Sequence, residues 1–463
     1  MPLSRRGTCA ATLHAVRFFL PSVMAACVVF GAGSQTARAD EGHAPTPKRP
    51  MPDYDGRGMP EASGDEPGTW VARVLLSPLY LLSEYGIRRP AEALTTHAEH
   101  HDWFTKVYDF FAPGPNHDIG FFPVGFVEFG FNPSVGVYGF ANHFIVRDNY
   151  AHVHVEAWPP DWWLGTVDDH WDDGHKAFDV HVSTSSRPDQ VFYGIGPSSL
   201  QSAQSRFTER RFDASGTFLV RPWRSSFVQG TVGVRKVETT NGHYGGDPNL
   251  EQEAATGAFA IPFGFDQSYL APYTDVHFAL DTRKPKTERG ASVRVEADSE
   301  QGEDVEHAPA TSWIRYGGSL AGTIDVGGHG RLLSLSVTAL FADSLGSEPI
   351  PFTELVSLGG NAYMRGYFDG RLRGRSAAVA MLRYAWPIAP FLDGTLEAAV
   401  GNVFDEHLTD FDPKLLRFSA AFGIATPAWN VPVEMVVGLG TETFDQGTAV
   451  DSVRLMIGVP RSF

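Results

Sequence analysis

The sequence predicts an all-β protein, a sixteen-stranded antiparallel transmembrane β-barrel preceded by a short helical N-terminal segment. Three observations carry this. No stretch beyond the N-terminal leader has the length and apolarity of a membrane helix, yet glycine (48 residues) and aromatics (12%) are abundant in many short segments. A chain without such helices still crosses a bilayer if its strands close into a barrel, because each backbone group is then satisfied between strands. The clearest segments also alternate strictly: Leu333, Leu335, Val337, Ala339 and Phe341 face one way, and Ser334, Ser336 and Thr338 the other. One apolar face and one small or polar face suit a lipid-facing wall around a wet lumen. Finally, about 340 C-terminal residues show a single composition class and no cysteine, which disfavours a soluble disulfide-bonded sandwich.

Residues 1–39 read as a secretory leader, with Arg5 and Arg6 ahead of an apolar run and an Ala37-Arg38-Ala39 cleavage site. Both cysteines, Cys9 and Cys27, lie inside it, so no thiol chemistry is expected of the processed chain. The formal charge is −17; the leader carries four arginines and no acid, so processing gives −17 − 4 = −21. Such an acidic balance excludes nucleic acid as an expected partner. Residues 40–69 are rich in proline, glycine and charge and read as a flexible linker. Residues 70–115 have helix-like apolar spacing broken at Pro78 and Pro90, which predicts short amphipathic helices in the periplasm.

From 120 to 463 the spacing predicts strands near 122–131, 135–146, 150–157, 176–185, 206–220, 225–238, 254–265, 271–282, 290–299, 312–326, 331–342, 376–387, 394–404, 414–425, 432–442 and 450–460. In the last ones Val433, Met435, Val437 and Leu439 oppose Glu434, Gly438 and Gly440, and Val453, Leu455, Ile457 and Val459 oppose Arg454 and Gly458. The turns at 221–224 and 427–430 are expected on the periplasmic side. The acidic stretches 168–176 and 298–310 are expected to be extracellular loops.

The densest signal is Leu358–Gly374, a glycine-rich charged stretch around Arg365, Gly366 and Tyr367. Glycine lets backbone approach another surface closely, and arginine is a planar five-donor fork for a carboxylate. This predicts a loop pinned by one arginine. That stretch, the five strands after it and the terminal Phe463 resemble the BamA/TamA outer-membrane barrel superfamily, the bacterial surface antigen family. Similar stretches are FYGIGPSS at 192–199, LDTRKPKTERG at 280–290, LRYAWPI at 382–388 and LEAAVGNVFD at 396–405.

The resemblance implies that Arg365 sits on the sixth extracellular loop, between barrel strands 11 and 12, where the strand count also places it. It implies a C-terminal strand signal at Leu455, Ile457, Val459 and Phe463. It further implies a carboxylate partner for the arginine inside the lumen. The family's usual acids would fall at Arg383 and Ala399, so Glu397 becomes the expected partner, with Asp369 as a local alternative. The POTRA repeats usual in the family have no counterpart pattern in residues 40–120, so the chain looks like a POTRA-less member.

The function implied is insertion or translocation of protein or lipid at a bacterial outer membrane. A passive pore or structural barrel is the alternative. Expected partners are outer-membrane lipids and a client polypeptide or lipid, with no cofactor, no metal and no enzymatic activity. His152, His154 and Glu156 share a strand face and could hold zinc, but a polar lumen lining is the favoured reading. His97, His100 and His101 lack a zinc-protease spacing and read as a solvated helix face. His277 and Ser292 lie on neighbouring predicted strands without an accompanying nucleophile motif.

Overall fold

A computed structural model describes residues 109–144, 146, 149–283, 291–307, 311–326, 330–389, 392–426 and 433–458, together with Tyr85, Arg89 and Lys106. The expected leader and linker, most of the expected amphipathic helices, His97–His101, Val459 and Phe463 lie outside the described residues. The chain divides into two compact units. In the smaller, the Arg89 guanidinium lies 4.3 Å from the Tyr85 ring centroid, and Phe110 meets Phe111 edge to face at 5.0 Å.

The larger unit holds a closed antiparallel barrel of sixteen strands. They are β1 (Ile119–Glu128), β2 (Ser134–Asn142), β3 (Asn149–Trp158), β4 (Trp162–Asp172), β5 (Lys176–Phe192), β6 (Ser205–Trp223), β7 (Ser226–Asn241), β8 (Ser268–Asp281), β9 (Ser292–Glu303), β10 (Ser312–Asp325) and β11 (Leu332–Ser344). After a long loop come β14 (Ser376–Ala389), β15 (Leu392–Phe404), β16 (Arg417–Ala425), β17 (Glu434–Thr441) and β18 (Val450–Gly458). The loop itself carries a short antiparallel pair, β12 (Val356–Leu358) and β13 (Leu372–Gly374). Outward positions are apolar and exposed around the wall, among them Val137, Val155, Val180, Phe212, Val276, Leu320, Val337, Leu382, Leu439 and Val453. An apolar belt on a closed barrel is a surface for lipid, since water would be displaced from it at about 25 cal/mol per Å².

The strand count matches the expectation, but two assignments compensate. Residues 254–265 were expected to be a strand. They lie in the β7–β8 connection, beside a short helix α1 (Leu250–Ala255) closed by a capping box between Asn249 and Gln252. Their apolar run packs inside the barrel: Phe259 meets Phe192 edge to face at 4.9 Å, and Phe265 is buried. Conversely, the acidic stretch expected as an extracellular loop forms the end of β4 and a tight turn at Asp173–His175. Antiparallel order puts that turn at the end opposite the long loop. Asp168, His170 and Asp172 are lumen-facing ladder residues, with Asp168 opposite His181 and His170 opposite Asp179, while Val167, Asp169 and Trp171 face out.

The two halves of the lumen differ. At the long-loop end a buried apolar cluster fills the interior, including Phe207, Trp313, Phe352, Leu358, Met364 and Tyr367. Towards the other end the inward residues are polar and half-exposed, among them Asp168, His181, His277 and Asp298.

Candidate functional site: the lumenal loop and its anchors

The loop between β11 and β14 folds back against the inner wall. Met364 adopts a left-handed backbone (φ 53°), and the Tyr367 amide closes the turn on the Met364 carbonyl at 3.0 Å. The turn presents Arg365, Gly366 and Tyr367 to β16 and β17. The Gly366 N–H donates to Ser419 Oγ at 2.9 Å, and a Cβ at Gly366 would overlap the Leu439 carbonyl. The facing strand is equally bare: a Cβ at Gly438 would lie 2.7 Å from the Arg365 carbonyl oxygen, and one at Gly440 would lie 2.5 Å from the Tyr367 ring. Glycine on both sides is therefore a steric requirement for backbone-to-backbone contact.

Tyr367 completes the contact. Its hydroxyl donates to the Thr441 carbonyl at 2.5 Å, lies 3.1 Å from the Phe418 carbonyl, and accepts the Thr441 N–H at 2.8 Å. Burial pushes the phenol up to about 12, so it stays a neutral donor throughout the physiological range. Tyr367→Phe should cost about 1–3 kcal/mol, because the Thr441 amide loses its acceptor in a dry site. Urea unfolding of the detergent-solubilised barrel checks this, and a loss under ~0.5 kcal/mol would contradict it.

The carboxylate that receives Arg365 is Glu434 on β17, with Nη2 to Oε1 at 2.6 Å and both side chains buried. The ion pair is thus made neither with Glu397 nor with Asp369, the two expected partners. Glu397 projects into the lumen from β15, where the Arg365 backbone N–H donates to it and the Arg365 charge lies within reach, but it forms no ion pair with the guanidinium and its Oε1 has no hydrogen bond. Asp369 is exposed and lies against Gly360 rather than Arg365. Glu434 prevails because β17 is the strand that Gly366 touches, which puts its inward residues directly under the arginine.

Three further anchors were not singled out from the sequence. Glu354, fully buried in the ascending arm of the loop, takes Arg235 of β7 at 2.9 Å, Arg315 of β10 at 3.2 Å and the Tyr269 hydroxyl of β8 at 2.6 Å. Arg235 also reaches Asp213 and Glu300, each at 3.1 Å. Burial pushes the Glu354 carboxyl up, but the charges of Arg235, Arg315 and Arg211 outweigh it and hold the group well below the ordinary carboxylate range. In the descending arm, Arg371 pairs with Asp451 at 2.9 Å, donates to Ser199 Oγ at 2.8 Å and lies 4.2 Å from the Tyr193 ring centroid. Arg417 shares the same Asp451 at 3.0 Å. Lastly, Arg454 of β18 donates to Glu128 of β1 and to the loop at Gly360 O (2.7 Å) and Asn361 Oδ1 (2.9 Å). The one clue in the sequence was polar charge at inward positions of otherwise apolar strands.

The remaining candidates do not assemble. His154 bonds Glu156 at 2.8 Å while His152 packs by Tyr138, its ring centroid 5.4 Å away, and the trio does not converge on a common point. His277 lies opposite Asp298, six residues along β9 from Ser292, or about 20 Å at ~3.3 Å per residue. Among the described residues, Asp343, Glu406 and His407 bring ligand atoms together, but Arg375 already reaches Glu406 at 3.2 Å and Asp343 at 3.7 Å. Leu455 and Ile457 face outward on β18, and Ile457 pairs with Val127 of β1.

Fold and site together define a sixteen-stranded membrane β-barrel whose lumen holds an arginine-anchored loop. The sequence matches no protein-family model and no curated relative. Among solved structures it is similar to BamA from Haemophilus ducreyi lacking POTRA domains 1–3, at 12% identity and TM-score 0.49, over 74% of this chain and 70% of that one. It is also similar to CdiB from Acinetobacter baumannii (10% identity, TM-score 0.47, 74% of this chain and 60% of that). A third likeness is CdiB from Escherichia coli (15%, 0.47, 73% and 62%). The chain thus spans less than two thirds of the length of both CdiB chains.

Proposed function

We propose that this chain is an outer-membrane barrel that inserts or translocates polypeptide or lipid, with the line between β1 and β18 as its lateral exit. The observation that carries this reading is the β18 edge left without a β1 partner at the loop end of the barrel, beside a lumen occupied by the loop. Among the described residues, β1 and β18 pair at Phe126–Gly458, Val127–Ile457 and Glu128–Met456, and the positions that would continue this ladder towards Ile119 lie beyond Gly458, outside the described residues. Beyond Leu455, whose carbonyl accepts the Phe129 N–H at 3.0 Å, the β18 edge from Val450 to Arg454 has no ladder partner on β1, because β1 ends at Glu128. An edge without ladder partners opens at lower cost than a fully paired one.

The action is mechanical rather than enzymatic, and cargo meets the polar half-lumen and the lipid at the seam. Residues N-terminal to the barrel act from the periplasm. A passive pore is the lesser reading, since the apolar cluster around Phe352 and Leu358 fills the loop end of the lumen. Depletion of the protein from its host, followed by proteomics and lipid analysis of the outer membrane, tests the proposal. Loss of a defined set of outer-membrane proteins or of a lipid class is expected. Unchanged composition, with a large steady conductance in planar bilayers, would instead identify a pore.

A further inference from the structure

We infer that Arg454 is a latch that makes release of the lumenal loop and parting of the β1–β18 seam one coupled event. Arg454 is an inward residue of β18, 2% exposed, at the level where the β1 ladder runs out. Its Nε donates to the carboxylate of Glu128, the last residue of β1 and itself 6% exposed. Its two terminal nitrogens turn the other way, to the Gly360 carbonyl and the Asn361 side chain of the loop. One guanidinium therefore bridges three elements: both edges of the seam and the plug.

The coupling follows from what each half would leave behind. If the seam parts, Glu128 leaves and Arg454 keeps a buried charge with no carboxylate, since Glu128 is its only ion-pair partner among the described residues. If the loop lifts, two of its nitrogens lose their acceptors in a desolvated site. Either loss makes the other easier, because a buried pair broken on one side leaves an uncompensated charge, and coupling between two sites is reciprocal. Close packing sets the geometry: Gly458 lies against β1, where a Cβ would come within 2.8 Å of the Phe126 Cα, so the strands meet tightly just below the latch. Arg454 is thus a positioning residue whose spare donors read whether the loop is in place.

This deepens the lateral-exit reading and rests on β1–β18 being the line that parts. A barrel that handles no cargo would still show the coupling, so the two ideas fail separately. Two reporters in the full-length barrel, reconstituted in phospholipid vesicles, test it. Met364→Cys is buried in the seated loop and reacts with a maleimide only on release. Val127→Cys with Ile457→Cys reports the closed seam by disulfide formation, since these residues are register partners. Only protein with folded-barrel mobility on unheated gels is scored.

Glu128→Gln, which touches only the seam side, should raise Met364→Cys labelling about fivefold or more, and Arg454→Lys should do the same. The charge swap Glu128→Arg with Arg454→Glu should restore the disulfide rate yet leave Met364→Cys labelling high. A carboxylate at 454 still attracts residue 128 but cannot donate to the Gly360 carbonyl. Wild-type labelling in Glu128→Gln, or a swap that returns both reporters to wild type, would overturn the latch.

Discussion

Gly366→Ala should unseat the lumenal loop. The added methyl would overlap the Leu439 carbonyl, and the obstacle is backbone of a barrel strand, which cannot rotate away as a side chain can. The loop must lift instead. It then loses the Gly366–Ser419 bond, the Tyr367 contacts at Thr441 and the Arg365–Glu434 pair together. Overpacking of this kind costs about 1–3 kcal/mol by itself, and the lost bonds add to it. In planar bilayers the wild-type barrel should show small, flickering currents, and the variant a conductance several-fold larger. The same rise is expected of Arg365→Ala. Equal conductance in wild type and both variants would mean that this turn does not close the lumen.

Glu354→Ala should be the most destabilising single change in the loop, at about 3–5 kcal/mol, because it strips a buried carboxylate from two guanidinium groups. Arg235 retains Asp213 and Glu300, and Arg315 retains Glu300 at 2.5 Å, so the barrel should still close while the ascending arm loosens. The effect has a pH signature. Glu354 is held far below its ordinary value of 4.5, so the unfolded state takes up its proton first as pH falls. Its stabilisation is present in full above about 4.5 and is lost progressively below that, towards the depressed folded value. Urea unfolding of wild type and Glu354→Gln should therefore differ by a constant amount between pH 7 and 5, and the gap should narrow only below ~4.5. A gap that closes already between pH 7 and 5 would assign the effect to another group.

Alternation made the barrel legible wherever inward residues are small or polar and outward ones apolar, as in β11, β16, β17 and β18. The same rule failed at β4, where Asp168, His170 and Asp172 made a lumen face look like a solvated loop. It failed in the opposite direction at 254–265, because the lumen here contains an apolar core that recruits loop phenylalanines. Arg365 had the correct address between the eleventh and twelfth barrel strands. Its ion-pair partner did not, because choosing among inward acids on β15 and β17 depends on which strand the loop rests against. That choice is made by Gly438 and Gly440, whose bare backbones admit the turn. Glu354, Arg371 and Arg454 stayed hidden for the same reason: each is paired across at least 39 residues of sequence, a separation no local pattern reports.

The proposed lateral exit at β1–β18 is tested most directly by the Val127→Cys/Ile457→Cys pair. Expressed in place of the wild-type protein, the oxidised barrel should fail to sustain the outer-membrane composition that depletion disrupts, and added reductant should restore it within the same culture. Either single cysteine should behave as wild type under both conditions. Full function of the locked barrel, with the disulfide verified on the same sample, would contradict a lateral exit.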